Sequence, residues 1–511
     1  MIDENKLFRR GFLLTTKEIE LEDYFYLNEW NKEKIFNYYF YIHNEQNFFY
    51  IFNNNEFIFL IGHAFNPFSD EIDEKKILKK IFDNKEDVIE SINELTGLFI
   101  IGLYDRENGL RLFTDCSGML ISYYGLIEGN VYISSHMQLI GDICKLEKSE
   151  YIKRLINYKY YKLYGPYLPG NLSSYDCIKR IVPNTYITYK KNEFKITRFY
   201  PNKELVMCRD EQSYEELLET IVTILEKTML LISKKWKRPA ISCTGGMDSK
   251  LTLACTNNIY NKFQYFSYIS SEAEKIDSEA AHEICDYLGL NHKIYEVEQN
   301  NENEFYKVKD ILEHNFGEIG SLNTNDIKKR IYFDHIKDFD IEVKSWVSEI
   351  GRANYYKKFG KNKMPKHLSP KQMALMYKVF NYRDDLFVKT IKVFEDYIRE
   401  TNFGINFFNY DDSDMFLWEI RYGGWGGLVL TSEHKYSFDI TVPYNNRILI
   451  EKMLQSPLKK RITDEFHEDL IRMANKKIDE VGITVVNLNE TKIRMFMEKL
   501  YFNVGTILPI K

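Results

Sequence analysis

At 511 residues the chain exceeds one ordinary hydrophobic core, and 44% hydrophobic with 28% charged residues is the balance of a folded protein of two or three domains, not of a disordered one. A formal net charge of −6 with no extended basic stripe excludes a nucleic-acid backbone as the expected partner. The densest basic run, Lys234-Lys235-Trp236-Lys237-Arg238, adjoins an apolar helical segment and reads as a solvated helix end.

In chain order, the first ~190 residues read as mainly strands. Phe48–Phe52 and Phe57–Ile61 flank Asn53-Asn54-Asn55, a hairpin pattern, and a helix is predicted over Lys75–Phe82. Leu98–Tyr104 and Leu110–Thr114 flank Asp105–Gly109 as a second hairpin, and Val131–Ser135 and Thr185–Tyr189 continue the strands. Past residue 200 the character changes. An amphipathic helix over Ser213–Lys235 leads into a strand, Pro239–Cys243, then a glycine pair and another helix. A strand near Phe263–Ile269, a helix Asp277–Leu288 and a strand near Lys293–Val297 follow, before a mostly helical remainder. Alternating strands and helices predict a parallel sheet covered by helices. Seven cysteines, odd in number and without a Cys-x-x-Cys pair, point to a reducing compartment and away from disulfides or structural zinc. With no signal-peptide layout at Met1–Lys6 and no apolar run of membrane-spanning length, the expectation is a cytoplasmic protein without a membrane partner.

The most informative stretch is Ser242-Cys243-Thr244-Gly245-Gly246-Met247-Asp248-Ser249-Lys250, which follows a buried strand and opens a helix. Two glycines let the backbone approach an anion, and a helix N-terminus offers unpaired N–H groups with a positive dipole end. The Thr244 and Ser249 hydroxyls can donate to phosphate oxygens, and Asp248 can hold Mg²⁺. Ser242, Thr244, Gly245, Gly246, Met247, Asp248 and Ser249 are therefore the candidate ATP-binding residues. Neither the Gly-Lys-Ser/Thr of a Walker loop nor a dinucleotide fingerprint is present.

This loop resembles the Ser-Gly-Gly-x-Asp-Ser loop of the PP-loop ATP pyrophosphatases, with Thr244 in place of the first Ser. The surroundings resemble the asparagine synthetase family: Asp277–Ala281 through Leu288-Gly289-Leu290-Asn291-His292, and Phe438–Tyr444 near the C-terminus. In the N-terminal half, Glu94–Phe99, Thr114–Met119 with Tyr123-Tyr124, and Ile133–His136 resemble that family's glutaminase fold. The resemblance implies an α/β plus α+β protein. Residues 1–200 would form a degenerate glutaminase-like domain, an Ntn-hydrolase-type αββα sandwich. Residues 201–511 would form a PP-loop parallel-sheet synthetase domain with a largely helical C-terminal part. It implies ATP and Mg²⁺, cleavage between the α- and β-phosphates, and an amide formed between a small-molecule or peptide carboxylate and an amine. A homodimer, or association with other enzymes of a biosynthetic cluster, is the implied assembly.

Departures from the family pattern shape the rest. A family glutaminase attacks glutamine with an N-terminal Cys, whereas residue 2 here is Ile and the first Cys is Cys116. The resemblance then implies a synthetase that does not use glutamine, as in β-lactam and lasso-peptide macrolactam synthetases. Lys344–Arg352 takes the place of the family's second metal loop. Glu349 matches its Glu, as second magnesium ligand or acceptor-orienting group, against a surface Glu at a helix start; Ser348 stands where the family has Asp. His467 or Arg472 falls nearest the family's late charge-neutralising lysine. Arg421 is either a clamp on a carboxylate or pyrophosphate or a partner of Glu419 or Glu349 in a buried ion pair. Asp248 and Glu349 are the candidate metal ligands, and Glu349, His467 and Arg421 the candidate catalytic residues. The readings left open are a macrolactam synthetase, an ammonia-dependent amidotransferase of a sugar acid, and a catalytically silent nucleotide-binding partner.

Overall fold

A computed structural model describes residues 6–298, 302–320, 322–360, 364–482 and 492–509. Twelve strands precede residue 200: β1 (Phe12–Thr15), β2 (Trp30–Ile35), β3 (Tyr38–His43), β4 (Phe48–Phe52), β5 (Glu56–Phe65), β6 (Thr96–Asp105), β7 (Gly109–Thr114), β8 (Tyr123–Ile127), β9 (Asn130–Ser134), β10 (Ile178–Arg180), β11 (Thr185–Lys190) and β12 (Glu193–Arg198). They form two six-stranded antiparallel sheets, ordered β10-β8-β9-β1-β3-β2 and β12-β11-β7-β6-β5-β4. The sheets meet through aromatic side chains. Phe40 of β3 lies 5.0 Å, edge to face, from Phe59 of β5, and Tyr38 lies 5.7 Å from Phe57. Such pairs contribute roughly 0.5–1.5 kcal/mol each beyond their buried area. The helix Glu74–Asp83, capped by the Asp73 carboxylate, covers β4 and β5; the helix Met137–Cys144 covers β9. The predicted hairpins and the helix near Lys75–Phe82 are all present, in the expected layering. β1 to β3 carry no comparable turn signature in the sequence.

The second part is a five-stranded parallel sheet of β13 (Pro239–Ser242), β14 (Gln264–Ile269), β15 (His292–Glu296), β16 (Ile341–Val343) and β17 (Ile440–Thr441), in the order β15-β14-β13-β16-β17. The helix Glu211–Lys235 leads into it from a capping box of Asp210 with Ser213. The run Lys234–Arg238 is less solvated than the sequence suggests: Lys235 pairs with Glu74 at 2.7 Å and Arg238 with Asp340 at 2.7 Å. The helix expected over Asp277–Leu288 begins earlier, spanning Glu272–Tyr287, because Ser271 caps it by accepting the Glu274 N–H at 3.3 Å. After β16 the described chain is largely helical. No helix among the described residues is long and apolar enough to cross a membrane.

Strand order positions the site. From β13 the chain steps outward through β14 and β15, then crosses back to β16 on the other side. The loops leaving β13 and β16 therefore diverge, and such a switch point opens a crevice at the carboxyl ends of the strands. The two parts are tied by buried polar contacts: Trp418 Nε1 donates to the Cys116 carbonyl at 2.9 Å, and Asn445 Nδ2 to Asp115 Oδ1 at 2.8 Å.

Candidate functional site

The turn from β13 into the helix Met247–Ala254 occupies that crevice. Its hydroxyls organise the backbone: Thr244 N–H donates to Ser249 Oγ at 3.0 Å, and Gly246 N–H to Thr244 Oγ1 at 3.2 Å. Ser242 Oγ reaches the Val343 carbonyl at 3.5 Å, tying the turn to β16. The Gly245 N–H is accepted by the Asp277 carboxylate; burial pushes the Asp277 pKa up, and this bond opposes the shift. Thr244 and Gly246 face solvent, and a Cβ at Gly246 would meet only Thr244 Oγ1, at 3.3 Å. An open glycine turn, hydroxyls and the first-turn N–H groups of Met247, Asp248 and Ser249 fit the oxygens of a polyphosphate.

Asp248, the second residue of that helix, is not the exposed loop residue its sequence context suggests. Its side chain is 16% exposed. Oδ1 accepts from Ser348 Oγ at 2.5 Å and Oδ2 from Arg352 Nη1 at 3.0 Å. Ser348 and Glu349 lie in the 3-10 turn Ser348–Arg352 that follows β16. This turn is entered through Val347, fully buried at φ +81°, a backbone region that a β-branched residue adopts at a cost of roughly 1–3 kcal/mol. Glu349 is half-buried and accepts from the Tyr422 hydroxyl at 2.9 Å. Burial raises its pKa first and the nearby Asp248 charge raises it further, against Tyr422, Arg352 and Arg421. Two carboxylates from neighbouring strand ends thus repel one another beside the glycine turn, a charge that a divalent cation relieves. Among the described residues no three His, Cys, Asp or Glu side chains converge on a metal position. A magnesium ion here would rest on Asp248 and Glu349 together with phosphate oxygens.

Positive charge comes from Arg352, at the end of the segment Lys344–Arg352, and from Lys357, which the sequence did not single out. Arg352 also donates through Nε to Asp464 Oδ1 at 2.8 Å, and Lys357 pairs with the same carboxylate. His467, on the helix Glu465–Ala474, lies with Nε2 3.7 Å from Asp248 Oδ1. It is fully buried, neither ring nitrogen has a hydrogen-bond partner, and burial lowers its pKa to about 4. Burial thus disfavours the charged form of His467, one of the two residues the sequence places nearest the family's lysine. Arg472 is half exposed and tied to Asp469 at 2.8 Å and Asp479 at 2.9 Å, outside the site.

Arg421 and Tyr422 lie on a wide π-type helical segment, Leu417–Gly426. Arg421 donates to the Tyr164 carbonyl and stacks over Trp425, 4.2 Å from the ring centre. It does not pair with Glu419, whose carboxylate is held by Arg198 at 2.6 and 2.9 Å, by Tyr397 at 2.9 Å and by Asn184 at 3.2 Å. Nor is its expected partnership with Glu349 a direct bond: Tyr422 occupies that carboxylate, and Arg421 acts on it only through its charge. After β17, the Tyr444 hydroxyl donates to the Asp248 carbonyl at 3.1 Å and meets Thr252 Oγ1 at 3.0 Å. The structure thus gathers Asp248, Glu349 and His467 around one crevice, with Arg421 at its margin, and adds Arg352, Lys357, Asp464, Tyr422 and Tyr444. Tyr444 had a signal, since it follows Pro443 in a segment already singled out. Arg352 had one as well, at the end of the segment Lys344–Arg352, whereas Asp464, 112 residues away, had none.

No family model and no curated protein matches the chain. Among solved structures it is similar to the allosteric regulatory enzyme of purine biosynthesis, with 10% identity over 47% of this chain and 55% of that one and a TM-score of 0.24. It is also similar to a glutamine phosphoribosylpyrophosphate amidotransferase from B. subtilis complexed with ADP and GMP (9% identity, 51% and 60% coverage, TM-score 0.21). A third is a glutamine-dependent NAD+ synthetase from Acinetobacter baumannii in complex with ADP (17% identity, 32% and 28% coverage, TM-score 0.18). The chain spans less than two thirds of each of these structures, and at these values none assigns it a family.

Proposed function

We propose that this chain is an ATP-dependent synthetase that activates a carboxylate as its adenylate and passes the acyl group to an amine. The observation that carries the reading is the hydroxyl-lined glycine turn at the sheet's switch point, with Asp248 on its helix and Glu349 near enough to feel the Asp248 charge. Mg-ATP supplies an electrophilic α-phosphorus: a substrate carboxylate oxygen attacks it, pyrophosphate leaves, the amine then attacks the acyl carbon, and AMP leaves. The turn Thr244–Ser249 cradles the departing pyrophosphate. Asp248 and Glu349 would hold a magnesium ion, which would shield the triphosphate charge, and Arg352 with Lys357 neutralises charge that builds on the phosphate. His467 packs behind Asp248 as a neutral spacer. Arg421, held over Trp425, faces the acyl substrate, a small molecule or a peptide.

In this reading residues 201–511 are the synthetase domain and residues 1–200 a glutaminase-like scaffold or recognition module that leaves glutamine untouched. Cys116 is a poor nucleophile there: it is buried, and burial pushes its thiol pKa up to about 12. The amine arrives on the substrate or as ammonia, in the cytoplasm.

The test is exchange of radiolabelled pyrophosphate into ATP with a panel of carboxylic acids, followed by identification of the nucleotide product. Exchange with AMP formation is expected; ADP and phosphate as products overturn the reading. A parallel incubation with glutamine is expected to give glutamate only at the protein-free rate. Glutamate release lost on blocking Cys116 contradicts that part. One observation favours a second reading, a silent nucleotide-binding partner: both Asp248 carboxylate oxygens are already engaged, by Ser348 and Arg352. ATP binding without exchange for any acid is its signature.

A further inference from the structure

His282, on the helix Glu272–Tyr287, and His292, the first residue of β15, bring their rings together. Nδ1 of one lies 3.3 Å from Nδ1 of the other, with ring centres 5.5 Å apart and planes tilted by 38°. His282 is exposed and His292 is buried, so one ring is fixed in the protein and its partner is open to solvent. Neither belongs to the group around Asp248 and Glu349.

The neighbours of the fixed ring decide which nitrogen carries its proton. Ser267 Oγ donates its single proton to the Cys243 carbonyl at 2.6 Å, so towards His292 Nε2, 2.9 Å away, it can only accept. The His292 proton therefore sits on Nε2, and Nδ1 turns a lone pair towards His282. A ring N–H held from behind by an oxygen is the arrangement that orients metal-binding histidines. The spacing between the rings is a second, independent observation. At 3.3 Å it is longer than a good N–H hydrogen bond, about 2.7–3.2 Å. Two nitrogens each about 2.0–2.1 Å from one tetrahedral ion stand about 3.3–3.4 Å apart. Glu279, Glu283 and Asp286 flank His282 in the helix, and no Lys or Arg lies between Asp277 and Tyr287, so the local charge favours a cation.

From this we infer that His282 and His292 bind a divalent transition-metal ion of the imidazole-preferring class, such as Zn²⁺ or Cu²⁺, through their two Nδ1 atoms. Among the described residues no third His, Cys, Asp or Glu side chain completes the set, so water fills the remaining positions and the ion is held less tightly than in a four-ligand structural site. Mg²⁺, a hard cation that takes oxygen ligands, is not held here. The ion clamps the helix Glu272–Tyr287 to β15. It reaches the glycine turn through His292, Ser267 and the Cys243 carbonyl, which immediately precedes Thr244. The same helix meets the turn again where Asp277 accepts the Gly245 N–H. The inference is independent of the synthetase reading.

The experiment is calorimetric titration of Zn²⁺ into the full-length protein, without nucleotide, comparing the unaltered chain with His282→Ala. His282 is exposed, so its removal is expected to leave the fold intact. The unaltered chain is expected to bind one Zn²⁺ at least about tenfold more tightly than His282→Ala binds any, and a tenfold excess of Mg²⁺ is expected not to displace it. Ser267→Ala keeps both ligands but frees the His292 ring, and is expected to weaken Zn²⁺ by about 10-fold or more. Loaded with one Cu²⁺, the unaltered chain is expected to show two coordinated imidazoles by pulsed electron paramagnetic resonance, and His282→Ala one. Equal Zn²⁺ binding by the two proteins, or a single imidazole on Cu²⁺ in the unaltered chain, overturns the inference and leaves the rings in plain contact. Loss of Zn²⁺ in Asp248→Asn, with His282→Ala unaffected, also overturns it and assigns the ion to the glycine-turn site instead.

Discussion

Asp115 and Asp248 are the same residue type in the two parts of the molecule, and their surroundings differ in kind. Asp115, in the turn after β7, is fully buried. It accepts backbone N–H groups from Met119 and Leu120 at 2.8 Å, Ser117 at 3.2 Å and Phe99 at 3.3 Å, besides the Asn445 amide at 2.8 Å. Its partners are mostly main chain, so it pins a turn and the junction between the two parts. Asp248 has side-chain partners only, Ser348 and Arg352, with His467 close by and Glu349 raised by its charge. Backbone donors make a carboxylate part of the fold; side-chain donors that have other partners, as Arg352 has Asp464, and a like-charged neighbour leave it available for exchange with a ligand.

The largest effect that sharpens this contrast is on stability. Asp115→Ala removes the shared acceptor of five buried donors, of which the Ser117 N–H keeps Asn445 Oδ1 and the Asn445 amide keeps the Gly97 carbonyl, and is expected to cost about 4 kcal/mol in chemical denaturation, or to prevent folding. A loss under about 1 kcal/mol breaks the comparison. Asp248→Asn keeps the size and the Ser348 contact, and Arg352 keeps Asp464. Stability is expected to stay within about 1 kcal/mol while pyrophosphate exchange falls at least about 100-fold, or about 2.7 kcal/mol of barrier. Wild-type exchange in that variant removes the metal role.

A further effect is pH-linked. His63 and His136 in the first part have pKa values lowered to about 3, and His467 in the second to about 4, each chiefly by burial. Unfolded, each takes a proton near its ordinary value of about 6.5. The unfolded state therefore binds more protons below that pH, and stability is lost as pH falls from about 6.5 to each folded value, by up to about 1.4 kcal/mol per pH unit for each group. Glu433 and Asp414, raised to about 7 and about 6 by burial, act with the opposite sign between the ordinary carboxylate range and those values. His467→Gln is expected to reduce the slope of stability against pH by one proton between about 6.5 and 4. An unchanged slope means that His467 is already charged in the folded protein.

The legible parts were those governed by local rules. Phe48–Phe52 with Phe57–Ile61 around three asparagines could hardly be anything but a hairpin, and β4 and β5 pair Phe52 with Phe57. The glycine turn was legible for the same reason, since its strand, hydroxyls and helix N-terminus are contiguous; Gly246 caps the helix it was expected to open. β1 to β3 were not, because β1 is only four residues and becomes a strand by pairing with β3 and β9, not by its own pattern. The Arg421 pairing went astray because Glu419, two residues away, points to the opposite side of the helical segment and is claimed by Arg198.

The sequence by itself determined the order of elements, the antiparallel-then-parallel division and the strand–glycine turn–helix of Ser242–Ser249, because periodicity, turn chemistry and capping act over a few residues. Only the tertiary structure decided that Glu349 comes within reach of the Asp248 charge, that Arg352 pairs with Asp248 and Lys357 with Asp464 beside it, and that His467 is fully buried. Those outcomes depend on which strand ends become neighbours and on how deeply a ring is buried. Charge interactions and desolvation act through space, between residues about a hundred positions apart, and leave no local mark on the chain.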